Sequence, residues 1–130
     1  MKKVKGILII PFGGSGAVHE VQINTKNLDD YYENLKCDIF TCVDIDKKNT
    51  IFVDDEGLLR NKPQNYFTIK KEKSWFKDDY HLAGRGLVLG IDNDTGETVD
   101  TTLSSIDILD MITFNKDGFH VEPKMEFIAY

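Results

Sequence analysis

Two cysteines, three prolines, one tryptophan and no long apolar run: the chain is defined first by what it has little of. A membrane-crossing helix needs roughly 18 consecutive apolar residues, and no stretch approaches that, so no membrane partner is expected. Basic charge is also short, with 16 Lys and Arg against 22 Asp and Glu and a net charge of -6. Nucleic-acid backbones are bound by clustered cations that displace counterions. The only dense basic group here, Lys70, Lys71 and Lys73, contains Glu72, which argues against nucleic acid. The acidity suits a solubility role or docking on a basic partner.

Cys37 and Cys42, if both lay on one strand, would send their side chains to opposite faces and could not bond to each other. Two reduced thiols fit a cytoplasmic protein. With His19, His81 and His120 scattered, no zinc-ligand spacing is present, and no metal or cofactor is expected. The basic start Met1–Lys5 precedes an apolar run. A secretory signal needs an apolar region of about 7–15 residues. Ile7 to Phe12 is shorter and contains Pro11.

What is there reads as one domain over residues 1–130, with a core at about 4–112 and an extension at 113–130. Val4 to Ile10 has the continuous β-branched pattern of a buried strand, ended by Pro11. Ala17 to Ile23 alternates, and the glycine-rich stretch Gly13–Gly16 joins the two as a hairpin. A phosphate loop there would need a lysine after the last glycine and a following helix; the chain instead continues Ala17-Val18-His19-Glu20 with period two. Asn27, followed by Asp29 and Asp30, predicts a helix cap, with Leu28, Tyr31, Tyr32 and Leu35 forming its inner face.

Asp38 to Ile45 alternates as a strand, with Ile39, Val43 and Ile45 on one face. A turn at residues 46–49 returns it as Thr50 to Val53. Leu58, Leu59 and a Pro63 segment lead to Tyr66, Phe67 and Ile69. Lys70 to Asp79 reads as a loop with one helical turn, carrying Trp75 and Phe76. His81 to Ile91 holds the most strand-like run after the N-terminus, Leu87–Ile91. Asp92–Gly96 turns the chain; its glycine and glutamate are misplaced for a calcium loop. Ser105 is expected to cap a second helix with Ile106, Leu109 and Ile112 on one face, and Phe119 to Val121 to add a last strand. The hairpin-rich order predicts an α+β fold, a mostly antiparallel sheet with one or two short helices packed on it.

Several side chains are candidates for contact with a ligand. Arg85 stands between Gly84 and Gly86, just before a buried strand, with His81 nearby. An arginine so framed can bind a carboxylate or phosphate bidentately. The bland alternative is a β-bulge or strand start with Arg85 in solvent. Gly14 and Ser15 at the hairpin tip offer free backbone N–H groups to an anion or a partner. Trp75 and Tyr80, with Phe76 and Tyr66-Phe67, bring aromatic area to the least regular part of the chain, which either covers the core or presents a surface for stacking or an interface.

The order of elements resembles a family of small uncharacterised proteins, a domain of unknown function common in phages, plasmids and other mobile elements. The resemblance rests on the opening strand and turn, "LDDYYENL", "CDIFTCVDI", "IFVDDEGLLRNKPQNYF" and "HLAGRGLVLGIDNDTGETVDTTLSSIDI", over about residues 4 to 112. The first turn is longer and richer in glycine than the pattern, "LAGRGLVLG" carries an arginine, and residues 113–130 extend past it. The resemblance implies a mobile-element context and carries no catalytic residues.

The leading expectation is thus a non-enzymatic binding protein in the host cytoplasm, acting against a host defence system. It would sequester a small anionic ligand such as a nucleotide, through Arg85, His81, Gly84, Gly86, Gly14, Ser15, Trp75 and Tyr80, or dock on a host protein. The alternative is a small hydrolase with His19 or His81 as general base; Ser15 with His19 is a generic nucleophile–base pair. Free sheet edges and an apolar tail at Phe127–Tyr130 leave room for a homodimer.

Overall fold

A computed structural model describes residues 3–12, 15–37, 39–54 and 65–115. Leu58, Leu59, Pro63, the expected strand at Phe119–Val121, the apolar tail, His120 and Gly14 lie outside the described residues. The fold is α+β and mostly antiparallel sheet, with two short helices.

Strands β1 (Val4–Phe12) and β2 (Ser15–Ile23) pair without a break from Val4 opposite Ile23 to Phe12 opposite Ser15. The hairpin is therefore confirmed, and the phosphate-loop geometry is ruled out by the strand that follows. β1 does not end at Pro11. It runs through it, because Pro11 lies beyond Ile7–Ile9, the part of β1 that also pairs with β7 (Gly86–Ile91). A proline with a strand partner on one side only leaves no ladder bond unmade on the other.

Helix α1 (Leu28–Leu35) is capped as expected: the Asn27 side chain accepts from the Asp29 N–H, with Asp29 and Asp30 in the first turn. Tyr31 and Leu35 are buried and Tyr32 is half-buried, but Leu28, at the first helical position, is exposed. Tyr31 stacks on Phe40 at 5.2 Å and meets Phe52 at 5.1 Å, so α1 is fixed to the sheet by aromatic rings. Cys37 follows the helix and is not on the next strand, β3 (Phe40–Asp44), which carries Cys42. The opposite-face argument for the two thiols therefore does not apply, although neither is in a disulfide.

β3 turns into β4 (Asn49–Asp54), and the larger sheet has the order β2-β1-β7-β4-β3, with β8 (Thr98–Val99) added beside β7. Opposed residues share a face. Leu87 and Leu89 face α1, whereas Val88 faces the other way with Ile7, Ile9, Ile51 and Val53. Onto that second face pack helix α2 (Ser105–Met111) and a three-stranded sheet, β6 (Tyr80–Ala83), β5 (Tyr66–Ile69) and β9 (Ile112–Asn115). Phe67, Ile69, Leu82, Ile108, Met111 and Ile112 fill the space between.

Two expectations change here, and a third holds. The run His81–Ile91 is two strands in two different sheets, broken at Gly84-Arg85. The cap of α2 is Ser104, which forms a reciprocal capping box with Asp107, and the buried face is Ile108 and Met111. Ile106 and Leu109 are 78% and 52% exposed, and Ile112 has already passed into β9. Moving the cap back by one residue rotates the assigned inner stripe by about 100°, one residue's turn of an α-helix. Finally, Lys71–Lys73 is a single 3-10 turn, as expected for the 70–79 loop.

Asn49 ties the ends of these elements together. It is 1% exposed. Its Nδ2 donates to the Asp46 carboxylate (3.1 and 3.3 Å) and to Thr102 Oγ1 (2.8 Å). Its Oδ1 accepts from the Thr101 hydroxyl and the Thr102 N–H. A fully satisfied buried amide specifies one arrangement, and a half-satisfied one is costly. Asn49→Ala should lower unfolding free energy by about 3 kcal/mol, since it takes the acceptor from the buried Thr101 hydroxyl and the Thr102 N–H and leaves a cavity. Chemical denaturation measures this, and a loss below about 1 kcal/mol would contradict it.

Candidate functional site

The link Gly84-Arg85 carries the chain from the smaller sheet to the centre of the larger one. Gly84 has φ of 82°, a left-handed conformation that suits glycine, and nothing crowds it. Gly86 is required by space instead: a Cβ there would lie 2.8 Å from Phe67 Cζ and 2.9 Å from Ile51 Cδ1. The two glycines flanking Arg85 thus serve a change of sheet and a close layer contact.

Arg85 follows the register to the α1 face of the sheet, where Nη1 donates to the Asn34 carbonyl at 3.2 Å. The last turn of α1 has no basic residue of its own. Its C-terminal carbonyls carry partial negative charge, and a cation placed there satisfies and stabilises them. Arg85 supplies that cation from across the sheet. Lys36 completes the helix end with φ of 56° and an N–H donated to the Tyr32 carbonyl at 2.8 Å.

The other candidates are distributed rather than gathered. His81 lies on the outward face of the smaller sheet, with Nδ1 2.9 Å from Thr68 Oγ1, and is largely exposed. Burial pushes its pKa below the usual 6.5, against the opposing pull of Asp79. Tyr80 packs its ring on Phe76 at 4.5 Å. Trp75 donates its backbone N–H to the Ile45 carbonyl, beside the β3–β4 turn. That turn is at the Gly90 end of β7, whereas Arg85 precedes its Gly86 end. Ser15 donates to the Phe12 carbonyl at 3.3 Å at the closing pair of the hairpin. His19 is four residues further along an extended strand, about 13 Å at 3.3 Å per residue, so Ser15 and His19 cannot hydrogen-bond. That pairing is withdrawn.

Sequence reasoning missed two features. One is an open groove of about 1000 Å³ lined by Val4, Asn24, Thr25, Lys26 and Glu97–Asp100, which none of the candidate residues enters. Tyr31 sits beneath Thr98 on its wall; burial raises the Tyr31 pKa, and the hydrogen bond with Thr98 works against that rise. The other is Gly90, where any Cβ would collide with the Asp100 carbonyl. That gap admits β8 between β7 and the start of β1, with the Thr101 N–H donating to Lys5 O at 3.0 Å. A glycine inside a strand run is the one signal that could have found it. No group of three or more His, Cys, Asp or Glu able to hold a metal exists among the described residues. None of the helices among them is long and apolar enough to cross a membrane.

This arrangement can be set beside known proteins. The chain belongs to the family described as Domain of unknown function (DUF3846), which it matches over residues 4–113. No curated protein and no solved structure matches it. The DUF3846 match opens with β1 and ends inside β9, so both sheets, both helices and the Gly84-Arg85 link belong to the family's domain.

Two outcomes follow from these contacts. Arg85→Met should cost about 1 kcal/mol, the range for a cation at a helix terminus, with α1 amides losing hydrogen-exchange protection first. For His81, the lowered pKa means the unfolded chain binds the proton more readily. Its contribution is complete above the usual value of 6.5 and is lost as pH falls through the lowered folded value. Thermal melts should therefore weaken with falling pH below about 6.5, and His81→Gln should flatten that slope.

Proposed function

We propose that this protein is a non-catalytic binding protein that docks on a partner protein through Trp75 and Tyr80. The observation that carries this is Trp75, 61% exposed yet held in place. Its N–H is bonded to Ile45, Phe76 beside it packs against the core, and Ser74 Oγ donates to the Lys70 carbonyl at 3.1 Å. The Lys71 N–H is in turn fixed to Asp79 Oδ1 at 3.0 Å. The backbone that carries Trp75 is already placed, so ordering it costs little on contact, and Trp and Tyr dominate interface energetics. Lys71, Glu72, Lys73, Lys77, Asp78 and Asp79 give the patch a charged rim, the usual anatomy of a docking surface.

The net charge of -6 favours a partner with a basic surface. The likeness to mobile-element proteins makes a host protein the expected partner, met in the host cytoplasm, with interference in a host defence as the biological outcome. Capture of a small anion has less support, because Arg85 is engaged at the end of α1 and lies at the opposite end of β7 from Trp75.

The test compares tagged wild-type and Trp75→Ala chains in capture from host lysate. A specific partner should be lost, with affinity reduced by roughly thirtyfold for a hot-spot residue of about 2 kcal/mol, while the melting temperature is kept. Trp75 is the single tryptophan, so its emission should also shift to the blue in the complex. A partner recovered equally by both chains would overturn the reading. A nucleotide that raises the melting temperature of wild type but not of Arg85→Ala would favour the small-ligand alternative.

A further inference from the structure

We propose that two copies of this chain associate through the free edge of β2, in an antiparallel two-fold pairing that joins their larger sheets into one. β2 ends the strand order β2-β1-β7-β4-β3 and, among the described residues, is paired on one side only. In an antiparallel ladder every second residue turns its N–H and C=O away from its partner, so a strand of nine residues presents about four such residues outward. Proteins that stay monomeric blunt such an edge with lysine, proline, a bulge or a short strand. β2, "SGAVHEVQI", contains neither lysine nor proline, and its register with β1 has no bulge. The other edges left free among the described residues are short: β3 has five residues, β6 and β9 four each.

Charge points to a second copy as the occupant. An acidic chain can meet itself only where little charge is left uncompensated. The one carboxylate on β2 is Glu20, and it stands 3.9 Å from Lys5 of the adjacent strand. The edge is the near-neutral stretch of a chain with net charge -6.

Helix α2 supplies the apolar flank. It lies across β2, with Ile108 and Met111 turned into the core. On its inner flank Asp110 pairs with Lys73 at 3.1 Å, and its carbonyl accepts from Lys70 Nζ. Leu109, half-exposed and about 100° round the helix from Asp110, is turned away from that inner flank. A two-fold axis normal to the sheet keeps both α2 helices on one side, so Leu109 and Ile106 of the two copies meet across the seam. Trp75 is tied to Ile45, beside the opposite edge of the same sheet, and stays open in the dimer. The inference therefore stands apart from the docking surface above.

The test is sedimentation equilibrium of the full chain across roughly 1–200 µM, where mass action separates monomer from dimer. The mass should rise from 14.8 kDa towards twice that value. His19→Lys with Gln22→Lys, two exposed positions on β2, should weaken association at least tenfold, as should Leu109→Lys on α2, with monomer melting curves unchanged. In wild type, alternate β2 amides should gain hydrogen-exchange protection as concentration rises. A mass of 14.8 kDa throughout would overturn the proposal, and so would a dimer that both variants leave intact. Recovery of β2 paired only with a strand of another protein would overturn it as well.

Discussion

Everything in this structure is organised around a strand that has no solvent side. Leu87, Val88 and Leu89 of β7 are fully buried, on both faces, with β1 and β4 on their flanks. A strand in that position must be apolar throughout, and it forces each side of the sheet to be covered. One cover is α1, held by the rings of Tyr31, Phe40 and Phe52. The other is the smaller sheet with α2. The glycines at either end of β7 follow from the same crowding. Gly86 lies against Phe67 and Ile51, and Gly90 lies against the Asp100 backbone.

The parts of the fold legible in the sequence are those whose signals are local. Asn27 with Asp29 and Asp30 marks a helix start without reference to anything distant. The alternation of residues 17–23 marks a half-exposed strand, and Leu87–Ile91 marks a buried strand. What could not be read depends on partners far along the chain. The change of sheet at Gly84-Arg85 could not be read, although a strand start there was, because both halves have strand propensity and only the layer each joins distinguishes them. β9 was hidden for a related reason: Met111 passes into Ile112 with no turn residue, so helix periodicity runs straight into strand. The face of α2 was misread because Ile106, Leu109 and Ile112 form an i, i+3, i+6 series as plausible as the one used. Ser104, one residue before the expected cap, decided between them.

The same distinction applies to the candidate site. Arg85 was rightly marked as unusual by its flanking glycines, but its partner is a main-chain carbonyl on α1, which no side-chain pattern reports. Trp75 and Tyr80 were legible as aromatics in a polar stretch. The contacts that place that stretch were not, since they come from Ile45, Phe76 and Asp79. Proximity in sequence between His81 and Arg85 suggested shared chemistry, yet the change of sheet at Gly84 puts them in different layers.

Asn49 bonds with Thr101 and Thr102 across separations of 52 and 53 residues. Closing so long a loop is entropically costly, and the native pairing of β4, β5, β6, β7 and β8 between its ends is what offsets that cost. The contact joins the β3–β4 turn to the approach to α2 only when those strands stand in native order, so a chain with the wrong strand order would be left with a buried amide and nothing to bond.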